Sequence, residues 1–128
     1  MKVLFDSHAL VWFLLGDRRF PKQLRADLEH PDTEFVISAV CVWEIGIKVR
    51  RGRWMEAKKV IPGLGDMLET SRYIPLAITI EHARTAAFFA WEHRDPFDRL
   101  LAAQSQIEGT PLLSADPVFH RFGAAVLW

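Results

Sequence analysis

The sequence predicts an α/β fold with a parallel sheet covered on both faces by helices, and three observations carry that expectation. Short apolar runs of strand length alternate with longer helical patterns along the chain. The 128 residues fit one domain, 1–128, long enough to bury a core of its own. No internal repeat, low-complexity segment or linker divides the chain.

In chain order, Lys2-Val3-Leu4-Phe5-Asp6 reads as a strand that ends on an acid. Ser7 to Leu15 suits a buried helix, with Ser7 near its start and Gly16 past its end. A more polar helix is expected from about Pro21 to His30, and Glu34 to Ser38 forms a second strand. A helix carrying Trp43, Glu44 and Lys48 follows. Beyond Gly52 the pattern weakens, with a helix expected within Met55 to Ser71 and broken around Pro62-Gly63. Tyr73 to Leu76 reads as a short strand and Glu81 to Glu92 as a helix. A further helix opens at Asp95-Pro96 and closes at Gly109. Pro111 to Ser114 and Ala124 to Leu127 supply the last two strands.

Composition removes several function classes. The 16 Lys and Arg balance 16 Asp and Glu, so no general cationic coat for nucleic acid or anionic membranes is expected, although local patches remain open. Cys41 is the single cysteine, which rules out an internal disulfide and suits a reducing compartment. Its apolar surroundings point to a small buried hydrophobe. Ser7 to Gly16, the longest uncharged stretch near the start, is too short to span a bilayer, and a cytoplasmic location without a membrane partner is expected.

The informative residues are acids. In an open α/β sheet, ligands bind outside the carboxyl ends of the strands. Asp6 ends the first strand, and Asp116 lies just beyond Leu112-Leu113-Ser114 at the same edge. Glu44 follows the second strand on a helix, and Asp95 and Asp98 open the helix before the late strand. Each also has a structural explanation. Asp95 suits an N-cap with Pro96 at the first helical position, Asp98 suits the helix dipole, Asp116 suits the cap of a short final helix, and Asp6 suits a loop. Glu44 is the hardest to explain that way, because it shares a helix face with Val40 and Ile47 and needs a cation, from Lys48 four residues on or from a metal.

Several converging carboxylates require a cation to be tolerated together. Oxygen donors without cysteine or a spaced histidine pair favour Mg²⁺, with Mn²⁺ as a substitute, over Zn²⁺. His8, His30, His82, His93 and His120 show no zinc-binding spacing, and His8 reads as a packed or capping residue. No GxSxG elbow, Walker loop or GxGxxG occurs. Lys48, Arg50, Arg51, Arg53, Lys58 and Lys59 cluster around Trp54, as a solvated helix end or as a phosphate-contacting surface. Arg94 and Arg99 flank Asp95 and Asp98, to position phosphates or to neutralise the acids.

Four segments together resemble the PIN-domain toxins of the VapC type. They are Val3 to Trp12, Ile37 to Lys48, His93 to Gln104 and Leu112 to Phe119, in order and across nearly the whole chain. The resemblance implies a three-layer α/β/α fold with strand order 3-2-1-4-5. It implies a Mg²⁺-dependent endoribonuclease leaving 5′-phosphate and 3′-hydroxyl ends, held in check by a VapB-like antitoxin. The family's acids carry over to Asp6, Glu44, Asp98 and Asp116 as catalytic and metal-holding residues. Asp98 rather than Asp95 takes the third position, because Leu-Leu-Ala-Ala follows Asp98 and Arg99. Ser7 and Ser114 stand where threonine is frequent, each keeping a hydroxyl, and Cys41 replaces a frequent serine.

Lys48, Arg50, Arg51, Arg53 and Arg99 are the expected RNA contacts. The alternatives are a catalytically silent PIN-fold module that only partners an antitoxin, or a phosphoryl-transfer domain. The latter fits poorly, since His8 stands where a dehalogenase-like domain needs a second acid. With 5 Trp and 9 Phe, apolar surface should remain for partners: a homodimer, and a heterotetramer or larger assembly with antitoxin.

Overall fold

A computed structural model describes residues 1–128. Its frame is one sheet of five strands, β1 (Lys2–Phe5), β2 (Glu34–Ser38), β3 (Tyr73–Leu76), β4 (Leu112–Leu113) and β5 (Val126–Leu127), in the order β3-β2-β1-β4-β5. Every neighbouring pair is parallel. The fold class and strand order are as expected. Val3, Leu4 and Phe5 are each 0% exposed, and alternate side chains of a strand point to opposite faces, so both faces of the central strand are covered.

The helices follow from local signals. Helix α1 (Ser7–Leu15) starts where the Asp6 carboxylate accepts the Ala9 N–H at 2.7 Å, and it stops at Gly16, whose φ of 64° suits glycine. Helix α2 (Lys22–Leu28) is the polar helix expected after Pro21. Helix α3 (Ala39–Arg50) starts at the end of β2, where the Ser38 hydroxyl accepts the Val40 N–H at 3.0 Å. It packs against α1 and against α6 (Pro96–Glu108), which closes at Gly109 as the sequence indicates.

Two stretches depart from expectation. Met55 to Ser71 forms 3₁₀ turns at Met55–Lys59 and Ile61–Gly63, and only then the short α4 (Leu64–Leu68), because Pro62 and Gly63 interrupt the helical ladder. Helix α5 (Ile80–Ala87) ends well before Glu92. Carbonyls near and beyond its end are taken by a side chain instead of by helical N–H groups: the Arg99 guanidinium donates to Ala86, Ala87, Phe89, Trp91 and His93. The resulting irregular 88–95 segment leads into α6. A last short helix, α7 (Val118–Arg121), follows Asp116-Pro117. No helix is long and apolar enough to cross a membrane.

The order of strands reverses direction at β1: the chain passes to β2 and β3 on one side, then crosses to β4 and β5 on the other. The carboxyl ends of β1 and β4 therefore border the crevice where such sheets bind ligands.

Candidate active site

Asp6 and Ser114 sit side by side at that crevice. The Asp6 N–H donates to the Leu113 carbonyl at 3.0 Å, which continues the β1–β4 ladder past the strand ends. Asp6 is 7% exposed; its carboxylate accepts the Ala9 N–H, and the neighbouring Ser114 hydroxyl favours its charged form. The same Ser114 oxygen accepts the Asp116 N–H at 3.0 Å, which ties the two acid-bearing turns together.

Glu44 reaches the cluster from the second turn of α3. It is 5% exposed; its Oε1 accepts the Ser7 hydroxyl at 2.5 Å and its Oε2 accepts the Lys48 ammonium at 2.8 Å. The i, i+4 partner indicated by the sequence is thus in place. Asp98 enters from the first turn of α6, where Asp95 caps the helix by accepting the Phe97 and Asp98 N–H groups. The Asp98 Oδ2 meets His93 Nε2 at 2.8 Å, and the His93 ring stacks on Trp91 with centroids 5.1 Å apart.

The electrostatics show which acids share a space. Burial raises the Asp6 carboxyl from 3.8 to about 6, against the bonds from Ser114 and Ala9, and the charges of Asp98 and Glu44 push it further up. Burial likewise raises Asp98 to about 6, His93 opposes the rise, and Asp95 and Glu44 add to it. Asp6, Glu44 and Asp98 therefore form one mutually repelling set. Asp116 lies at the exposed rim, its Oδ1 accepting the Val118 N–H at 3.0 Å; the N-cap position of α7 itself is Pro117, one residue later than the sequence suggests. The Asp116 charge acts on His8, an exposed residue of α1 whose imidazole is held below its usual range by desolvation and by Lys48.

No three His, Cys, Asp or Glu side chains are drawn together as a ready clasp for one ion. The donor chemistry nevertheless fits a hard divalent cation. The set is all oxygen, two of its members are held in the charged form only at a cost, and compensation falls to Lys48 and His93.

The basic residues divide. Lys48 is engaged with Glu44, while Arg50, Arg51 and Arg53 are exposed and make no ion pair. Arg99 does not face the crevice as a free cation. Its donors hold the carbonyls of the 88–95 segment, from 2.6 Å at Trp91 to 3.3 Å at His93, so its place is structural. Cys41 is 0% exposed, its thiol donates to the Phe5 carbonyl at 3.2 Å, and burial pushes its pKa up, as suits an inert core residue.

Sequence reasoning left three contributors unassigned. The Ser7 hydroxyl orients Glu44 and the Ser114 hydroxyl accepts the Asp116 N–H beside Asp6, and their positions directly beside the strand ends are the available signal. His93 lies in an irregular segment, and nothing local marks it as the partner of Asp98.

The PIN domain family matches residues 3–125. No curated protein matches the chain in sequence. Among solved structures, VapBC2 of Rickettsia felis, crystallised with a fragment of promoter DNA, superposes with a TM-score of 0.69 at 16% identity, covering 100% of this chain and 98% of that one. VapC20 of Mycobacterium tuberculosis, a toxin that cleaves the sarcin-ricin loop, gives a TM-score of 0.68 at 15% identity over 98% of both chains. FitAcB of Neisseria gonorrhoeae gives 0.64 at 22% identity over 100% of this chain and 97% of that one.

Proposed function

The chain belongs to the PIN domain family, and from that premise we infer that it is the toxin of a toxin–antitoxin pair, a cytoplasmic endoribonuclease that hydrolyses RNA phosphodiester bonds with Mg²⁺ or, in its place, Mn²⁺. One observation carries the reading. Asp6 and Glu44 are buried and Asp98 is half-buried, and the three carboxylates repel one another at the sheet's crevice, a costly arrangement for folding alone.

Asp6, Asp98 and Glu44 would hold the cation, with Asp116 completing the set from the rim. When bound, the cation supplies a water of lowered pKa and stabilises charge developing on the phosphate. The chain's own groups prepare that chemistry. The Ser7 hydroxyl orients Glu44, the Ala9 N–H orients Asp6, and the Ser114 hydroxyl favours the charged form of Asp6. Lys48 pairs with Glu44 and the His93 ring hydrogen-bonds Asp98 in the resting protein. Above about pH 6, Asp6 and Asp98 are both ionised and able to take a cation. Arg50, Arg51 and Arg53 are the proposed phosphate contacts, at the far end of α3 from Ser38.

Partner surfaces are supported by apolar side chains left open. Trp43 is 55% exposed beside Phe97, and Ile80 and Phe88 on and after α5 are 89% and 83% exposed. These suit a homodimer and a VapB-like antitoxin.

The test is cleavage of RNA by antitoxin-free protein in Mg²⁺, in Mn²⁺ and in chelator, with Asp6→Asn and Asp98→Asn beside the wild type. Metal-dependent cleavage that both variants lose, with 5′-phosphate ends, supports the reading. Variants that cut as fast as wild type overturn the site. A second reading, a silent antitoxin-holding module, draws on Lys48 and His93 already compensating two of the acids; absence of both cleavage and Mg²⁺ binding would favour it.

A further inference from the structure

Beside the acid cluster an exposed imidazole, which neither cation binding nor the core requires, rests on two tryptophans of the core's edge. His8 is exposed on α1, two residues after Asp6, and its ring lies 4.4 Å from the Trp54 ring at an interplanar angle of 32°. Trp12, one turn further along α1, flanks the same ring at 5.6 Å and 59°. His8 is thus backed by an indole and edged by another, with its exposed side toward solvent.

The backing is anchored. Trp54 is 8% exposed and its Nε1–H donates to Glu56 Oε1 at 3.2 Å. Glu56 is held in turn by Arg19, whose guanidinium lies 4.8 Å over the Trp12 ring and also pairs with Asp17 at 2.8 Å. The Lys48 ammonium sits 5.5 Å from the Trp54 ring while paired with Glu44, so the aromatic group and the acid cluster share a residue. The charges of Glu44 and Asp116 both reach the His8 ring. Arg53, next in sequence to Trp54, is exposed and makes no ion pair.

A planar ring with a fixed back and an open side, next to a site for phosphate chemistry and an unpaired arginine, matches how proteins hold single-stranded nucleic acid. Bases stack on aromatic or imidazole faces while cations follow the backbone. We propose that His8, held on Trp54, is a stacking platform for a nucleobase of single-stranded RNA whose backbone passes over the acid cluster, with Arg53 contacting a neighbouring phosphate. The proposal rests on the ribonuclease reading for the direction of the strand, and it adds a subsite that discriminates an unpaired, splayed base from a stacked duplex.

The test uses binding without cleavage. Fluorescence anisotropy in chelator compares a labelled single-stranded oligoadenylate RNA with an abasic ribose-phosphate strand of equal length, for wild type, His8→Ala and His8→Phe. Wild type should prefer the base-bearing strand by about 5- to 150-fold, the usual range for one stacked base. His8→Ala should erase that preference, and His8→Phe, which keeps a flat ring, should retain it. If wild type binds both strands equally, or His8→Ala keeps the preference, the platform is refuted. A histidine that only covers Trp54 would alter stability without changing the base dependence. Cleavage in Mg²⁺ is scored separately, so a failed ribonuclease reading shows as intact RNA whatever the binding result.

Discussion

Asp6→Asn should stabilise the metal-free protein at neutral pH while removing its activity. The carboxyl's rise from 3.8 to about 6 measures how much the fold disfavours its charge, and at 1.36 kcal/mol per pH unit this is about 3 kcal/mol. The sign follows from linkage. With a folded pKa above the unfolded one, stability is full below about pH 4 and is lost as pH rises through about 6. Asparagine keeps the carbonyl oxygen that caps α1 through the Ala9 N–H, so the helix start survives. Its amide must still be buried, and a net gain of about 1–2 kcal/mol is expected at pH 7. Unfolding entropy near 2.1 cal/mol/K per residue makes 1 kcal/mol worth about 4 °C in a chain this long, so Tm should rise by about 4–8 °C. Thermal melts monitored by circular dichroism, in chelator from pH 4 to pH 7.5, read the effect. Near pH 4, where the wild-type carboxyl is neutral, only the cost of burying the amide remains, so the difference should change sign and leave the variant about 1–2 kcal/mol less stable. A variant that is less stable than wild type at pH 7, or a pH-independent difference, would show that Asp6 is not an uncompensated charge.

Other outcomes test the rest of the site. At limiting Mg²⁺, cation affinity and RNA cleavage should both rise steeply between about pH 5 and pH 7, as the Asp6 and Asp98 carboxyls lose protons; a flat profile by calorimetry and a gel assay would contradict the acid cluster as the cation site. Lys48→Met leaves the 5%-exposed Glu44 with Ser7 alone, costing about 2 kcal/mol in chelator, and added Mg²⁺ should raise the variant's Tm more than the wild type's. Arg99→Ala orphans five carbonyls and should cost about 3 kcal/mol or more in urea unfolding. Arg99→Lys should not restore that stability, because an ammonium lacks the planar fork, and full rescue by lysine would refute the scaffold role.

Local chemistry made much of this protein readable. The start of α6 at Asp95-Pro96 and its end at Gly109 follow from capping and from glycine's tolerance of positive φ. The acids at the ends of β1 and β4 stand out because a parallel sheet directs its strand ends to one edge. Helix α5 is shorter than its sequence suggests because Phe88 to Glu92 has helical composition, while the guanidinium that diverts the nearby carbonyls comes from Arg99 on another helix. Arg99 itself looked like a phosphate contact for the same reason: a charge in sequence carries no record of which acceptors surround it.

The sequence by itself determined the succession of strands and helices along the chain and marked the acids at Asp6, Glu44, Asp98 and Asp116, with Lys48 as one candidate partner for Glu44, because local patterns depend on residues within a turn or two. Tertiary structure alone decided that Asp6 and Glu44 are buried, that Asp98 is half-buried and acts on their charges while Asp116 stays at the rim, and that Ser7 serves Glu44 from 37 residues away. It also decided that His8 rests on Trp54. Burial and long-range charge are properties of how elements pack, and helical or strand periodicity specifies which face is apolar without saying which other face it will meet.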